Sequence, residues 1–151
     1  MLEARGSMAT ESGGRSPLRS HEDLRAYTLA MDLLVAVHRL ARELPAEERH
    51  DLARQMRRAS KSIPANIAEG FAKRHSVNEF KQYMRTAMAS ANEMETHLKI
   101  VQRLGYAVRG DLAELIDGYN HIGRQLNRLM ANWRRLLGGV RASSLEHRAA
   151  R

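Results

Sequence analysis

Between residues 22 and 137 the apolar side chains of this chain recur every three or four positions, and no stretch alternates apolar with polar. That period is the signature of helices with one buried stripe, and it leaves no strand to build a sheet from. Leu24, Tyr27, Met31, Leu34 and Ala41, flanked by Leu33, Val37, Leu40 and Leu44, predict a first helix over 22–44, entered near Ser20 or His21. Pro45, with Glu47 and Glu48 behind it, predicts the start of a second. Proline has no N–H to waste in a first turn, and acids there complement the helix dipole. Gly70 reads as the residue just past its end. Ser76-Val77-Asn78-Glu79 is a capping box that opens a third helix, running to about Leu104 before Gly105. Asp111-Leu112-Ala113-Glu114 opens a fourth, expected to reach Leu137.

Four helices joined by short connections make antiparallel neighbours. The expected fold is therefore all-α, an antiparallel up-down-up-down four-helix bundle over residues 21–137. Residues 1–20 and 138–151, with Gly13-Gly14 and Gly138-Gly139, read as disordered tails. Aromatics make up only 5% of the chain while Met numbers eight, so the core of such a bundle has to be aliphatic. The absence of cysteine excludes disulfides and thiolate metal sites and makes a reducing cytoplasm the default location. The longest unbroken apolar run, Leu33 to Val37, is far too short to cross a bilayer, and the first residues carry no apolar leader segment.

Charge points to a partner class. Lys and Arg total 25 against 17 Asp and Glu, and 19 against 14 fall within 21–137, so the surplus belongs to the body. Twenty-one of the 25 are Arg, the side chain that grips phosphate with two parallel hydrogen bonds. On a helical wheel, Arg124, Arg128 and Arg135 fall on the outer side of the fourth helix, opposite the face that holds Trp133. Arg54, Arg57 and Lys61 fall on the outer side of the second. Such faces are either ordinary solvated surface or a ridge for nucleic-acid phosphate.

The second helix also carries a polar row. Asn66 falls near the middle of the apolar face formed by Leu52, Met56, Ala59, Ile63 and Ile67, with Gln55, Ser62 and Glu69 along one edge. Ser90, Glu93 and His97 form a matching edge on the third helix. Buried amides and carboxylates without partners are costly, so the two rows are expected to satisfy one another as a structural network. Arg58, nearest the boundary, is expected to turn inward to Glu69. Pro64 is expected to push Ile63 out of helical geometry and re-aim Asn66. The leading reading of the row is register and packing; a ligand or catalytic pocket is the alternative.

At these residues the chain resembles a known family. Asp23-Leu24, Tyr27, Leu44-Pro45 with Glu48, Gln55-Met56-Arg57-Arg58-Ala59, and above all Ser62-Ile63-Pro64-Ala65-Asn66-Ile67-Ala68-Glu69-Gly70 carry the likeness. Ser90-Ala91-Asn92-Glu93-Met94-Glu95 and Leu104-Gly105-Tyr106 extend it. The chain is similar over 21–137 to the four-helix-bundle proteins first found encoded in intervening sequences of bacterial 23S rRNA genes. The resemblance implies a helical-bundle protomer, a ring-like homopentamer and no assigned enzymatic activity. That family in turn looks related to the accessory variability proteins of diversity-generating retroelements, pentameric and basic, which bind nucleic acid and a reverse transcriptase but generally lack the Ser62–Gly70 signature.

Motifs for chemistry are missing. There is no phosphate-binding glycine loop, nucleophile elbow or His-Glu-x-x-His zinc motif. A di-iron bundle needs two Glu-x-x-His pairs, and the chain has only Glu47 with His50, at the start of the second helix. Glu93 and His97 read as a hydrogen-bonded pair, so no metal or other cofactor is expected. The expected function is non-enzymatic binding of RNA or other nucleic acid by a homo-oligomeric bundle. The alternative is a scaffold that recruits a protein partner, such as a reverse transcriptase. The wide apolar arc of the first helix, with Leu33, Val37, Leu40 and Leu44, is expected to supply the subunit interface.

Overall fold

The computed structural model describes residues 20–136; the expected tails, apart from Ser20, and Leu137 lie outside them. Among the described residues there is no strand. Four long helices form the structure, α1 Arg25–Glu43, α2 Leu52–Ala72, α3 Val77–Leu104 and α4 Leu112–Ala131, with a single turn, α5 Trp133–Leu136, after them. Each long helix packs on the next and α4 closes on α1, while no Cα atoms of the diagonal pairs come within 8 Å of one another. Direction follows from the cross-contacts. Ser62 meets Ser90 while Gly70 lies against Phe80, Tyr83 and Met84, and Glu43 meets Arg109 while Leu33 lies against Gly118. These two pairs therefore run antiparallel, the short α1–α2 and α3–α4 connections make the other two pairs antiparallel as well, and the bundle is up-down-up-down.

Local chemistry sets most helix ends. The Ser76 hydroxyl accepts the Glu79 N–H at 3.4 Å and the Asp111 carboxylate accepts the Glu114 N–H at 3.1 Å, which starts α3 and α4. Gly105 ends α3 at φ 71°, a left-handed conformation that costs glycine nothing. Its N–H donates to the Gln102 carbonyl and the Tyr106 N–H to that of Val101, the paired closure of a Schellman motif.

Four boundaries differ from expectation. His21–Asp23 form a 3-10 turn and α1 begins only at Arg25, after an extended Leu24. Pro45 does not open α2 either. It is extended, with ψ 155°, and leads into a 3-10 turn over Ala46–Glu48. The acids behind it still serve the helix start, because Glu48 accepts the Leu52 N–H at 3.2 Å and the Tyr106 hydroxyl at 3.3 Å. That carboxylate thus ties the α1–α2 turn to the α3–α4 loop.

Gly70 does not end α2; it is buried inside it. A β-carbon there would come within 2.5 Å of Met84 Cε and 2.8 Å of Tyr83 Cβ, so the glycine exists to let α3 approach. α2 also runs through Pro64 without a break, and Ile63 stays helical because it, Pro64 and Ile67 are all clamped in the core. Finally, α4 stops at Asn132, whose backbone N–H and side-chain amide both donate to the Arg128 carbonyl. Trp133 then packs half-buried against the core, with the Arg134 guanidinium 5.5 Å from its ring.

The core is aliphatic apart from Phe71, Phe80 and Tyr119. Val37, Leu40 and Leu44 are buried in it and Leu33 packs against Gly118, so the protomer itself consumes the arc of α1 that was expected to face a second subunit. What α1 leaves exposed is Met31 and Val35, at 42% and 48%.

Two measurements test this packing. Gly70→Ala should cost about 1–3 kcal/mol in denaturant unfolding, because Tyr83 Cβ cannot yield as easily as the Met84 tip. Gly123→Ala, where an added β-carbon meets nothing, should stabilise by up to about 1 kcal/mol. Equal effects would refute the close approach at Gly70.

Tyr119 gives a pH test. Its hydroxyl is buried without a partner, and burial pushes the phenol well above its ordinary value of 10.0. Above pH 10 the unfolded chain releases a proton that the fold retains, so stability should fall by about 1.4 kcal/mol per pH unit for this group. Tyr119→Phe should show a shallower alkaline loss in melting curves taken from pH 9 upward.

Candidate nucleic-acid interface

The outward face of α2 gathers the cations. Arg54, Arg58 and Lys61 are exposed, Arg57 is half-buried, and Arg49 and His50 join them from the turn before the helix. Together with Ser62 and Ala65 these residues line a shallow groove of about 730 Å³ that contains no carboxylate. Among the described residues the ion pairs are His97 with Glu93 and Arg109 with Glu43, so none of the five groove cations has an ion-pair partner among them. Arg54 faces Arg57 and Arg58 across one turn, and Lys61 faces the same two. Like charges at these spacings cost about 0.2–0.5 kcal/mol per pair. The helix carries that repulsion without internal relief.

Arg58 was expected at the polar seam, paired with Glu69. The structure places it in the groove; Glu69 is exposed, and neither has an ion pair among the described residues. Gln55 also leaves the seam, donating to Asp51 at 2.8 Å on the exposed side of the first turn. Ser62, Asn66 and Ser90 do meet. Asn66 donates its amide to the Ser62 carbonyl at 2.7 Å and to the Ser62 hydroxyl at 3.0 Å, and that hydroxyl bonds the Ser90 hydroxyl across the interface at 2.9 Å. One turn on, the buried His97 ring bonds the Glu93 carboxylate at 3.0 Å through Nε2, while its Nδ1 has no partner. Among the described residues no group of three or more metal-ligating side chains converges.

On α4, Arg124 and Arg128 are exposed and one turn apart. Arg135 is exposed too, but the break at Asn132 puts it on α5, so the three arginines do not share one continuous helix. Sequence reasoning missed Arg49 and His50, which the early start expected for α2 would have wound into a helix. The signal was Glu48, placed four residues before Leu52 to cap it.

The 23S rRNA-intervening sequence protein model matches residues 22–128. The chain belongs to that family. A protein of unknown function from the S23 ribosomal protein family of Bacteroides thetaiotaomicron shares the fold, with a TM-score of 0.62 and 23% identity, covering 70% of this chain and 95% of that one. No curated protein matches significantly. Among the described residues no helix is long and apolar enough to cross a membrane.

The seam makes a distinct prediction for two members of the family signature. Asn66→Ala should cost about 1 kcal/mol, the worth of its two donated bonds in a half-buried setting. Glu69→Ala should stay within about 0.5 kcal/mol, since an exposed carboxylate with no ion pair or hydrogen bond among the described residues is removed. Chemical denaturation of both variants checks the order, and a larger loss at Glu69 would overturn this account of the seam.

Proposed function

We propose that this protein is a non-catalytic nucleic-acid-binding bundle that holds the phosphate backbone in the basic groove of α2. The observation that carries the reading is a groove lined by Arg49, Arg54, Arg57, Arg58 and Lys61 with no acid among its walls. An external polyanion relieves the repulsion that the helix otherwise bears. Arg124, Arg128 and Arg135 add a second, sparser set on another face. The family resemblance suggests a homopentameric ring, and the exposed Met31 and Val35 offer each protomer an apolar contact for it. A ring would repeat the groove and multiply weak contacts through effective concentration.

Binding of this kind is electrostatic and indifferent to sequence. If all five cations engage, the affinity of one groove should fall with a log–log salt slope of about −3.5 for single strands and about −4.5 for duplex DNA. Arg54→Glu with Arg58→Glu should abolish gel shifts of structured RNA and duplex DNA at low salt. The same change at Arg124 and Arg128 should weaken them less. Light scattering on the same samples should show an unchanged oligomer. Absence of any shift by the wild-type protein at low salt would favour the competing reading, a scaffold that recruits a polypeptide through Met31 and Val35.

A further inference from the structure

A second concavity lies between α3 and α4, away from the α2 groove. It measures about 460 Å³, within the range of small-ligand sites. Its floor includes Ala91 and Gly123, and its sides include the half-buried thioether of Met88. Gly123 is unlike the other glycines inside the bundle's helices. A β-carbon at Gly70 or Gly118 would collide with a neighbouring helix, whereas one at Gly123 would meet nothing within 4 Å. Gly123 therefore weakens α4 by about 1 kcal/mol relative to alanine with no packing reason inside the protomer. What it provides is open space.

Around that space stand Asn92, Asn120 and Asn127, with Glu95 and Arg124. Among the described residues none of these five side chains has a hydrogen bond or ion pair. Tyr119, whose fully buried hydroxyl also has no partner, borders the same cleft. Outside it, Arg128 continues the cationic line one turn beyond Arg124.

We infer that the α3–α4 cleft is a subsite for one unstacked nucleobase of a bound single strand, with Arg124 and Arg128 on the flanking phosphates. This rests on the phosphate-binding function proposed above. Carboxamides present a donor and an acceptor side by side, the pattern that matches a base edge, and a carboxylate accepts from an exocyclic amine. The thioether of Met88 suits the π-face of a base, and the bare Gly123 backbone lets the ring lie close. With few aromatics available, amide hydrogen bonds do the work that stacking does elsewhere.

The experiment compares fluorescence-anisotropy titrations, at low salt, of oligodeoxyadenylate, oligothymidylate and an abasic deoxyribose-phosphate oligomer of equal length. At least one base-bearing strand should bind about tenfold tighter than the abasic strand, the worth of one or two hydrogen bonds. Gly123→Leu, which fills the floor, should bring all three to the abasic value. Asn120→Ala should reduce the preference without filling the cleft, which guards against misfolding of the leucine variant. Equal binding of all three strands by the wild-type protein overturns the base subsite and leaves the phosphate groove standing. A preference that survives both variants overturns it too, by placing base contact elsewhere. No binding of any strand removes both the subsite and the function it rests on.

Discussion

The contact on which the rest of the bundle is aligned is the approach of α2 to α3 at Gly70. Nothing larger than hydrogen fits between the α2 backbone and the side chains of Tyr83 and Met84. With the two helices that close, the side chains along the rest of their line of contact must be small or must satisfy one another. Two turns before Gly70 on α2, Ser62 and Ser90 do both, since two short hydroxyls share a hydrogen bond where longer groups would pry the helices apart. Cores tolerate neither voids nor overlap, so this register is transmitted to α4 through the opposite side of α3 and to α1 through the opposite side of α2. Between α2 and α3 the side-chain hydrogen bond that crosses the packed interior lies at this edge.

Fixing the inner face of α2 also fixes its outer one. Residues 54, 57, 58 and 61 are turned away from the core by the same rotation that buries Met56, Ala59, Ile63 and Ile67. Arg54 and Lys61 are then about 10 Å apart along the axis, from a rise of about 1.5 Å per residue. A rigid helix presents such charges with little backbone entropy left to lose on binding, which favours engagement of a polyanion over scattered surface lysines. Among the described residues no ion pair involves these cations, and a local cluster of like charge draws anions from a distance.

What could be read from the sequence is what depends on a few neighbouring residues. Ser76, Asp111 and Gly105 act where a local rule places them, and the apolar wheels of α2 and α3 sort their buried sides correctly, whereas Met31, placed in the apolar stripe of the first helix, is exposed. Two of the misreadings involve residues whose surroundings are set from another helix. Gly70 has the local character of a helix end, yet its reason is the bulk of Tyr83 and Met84. Glu69 lies close to Ser62 on the wheel, but its carboxylate is exposed and forms no ion pair among the described residues. A wheel gives an azimuth and says nothing of what stands opposite at that height. The α2 groove lies within one stretch of chain, so Arg54, Arg57 and Lys61 were legible as an outward face, whereas the α3–α4 cleft was not, because it depends on two helices brought together by the fold.

The polar seam and the basic groove share a residue, and this ties the family signature to the surface proposed to bind. Ser62 lines the groove while accepting from Asn66 and bonding Ser90. The turn of α2 that carries Arg58 and Lys61 is thus anchored to α3 by the hydrogen bonds of the seam. If those bonds held only the core, apolar packing of similar volume would serve equally well, since a satisfied polar pair contributes little net stability. Their advantage is directional. A serine–serine bond is lost when the helices slip by one residue or rotate by a fraction of a turn, whereas aliphatic contacts re-form in the shifted register. The seam therefore favours the rotation of α2 in which Arg54, Arg57, Arg58 and Lys61 line one groove, and so bears on the proposed binding by positioning.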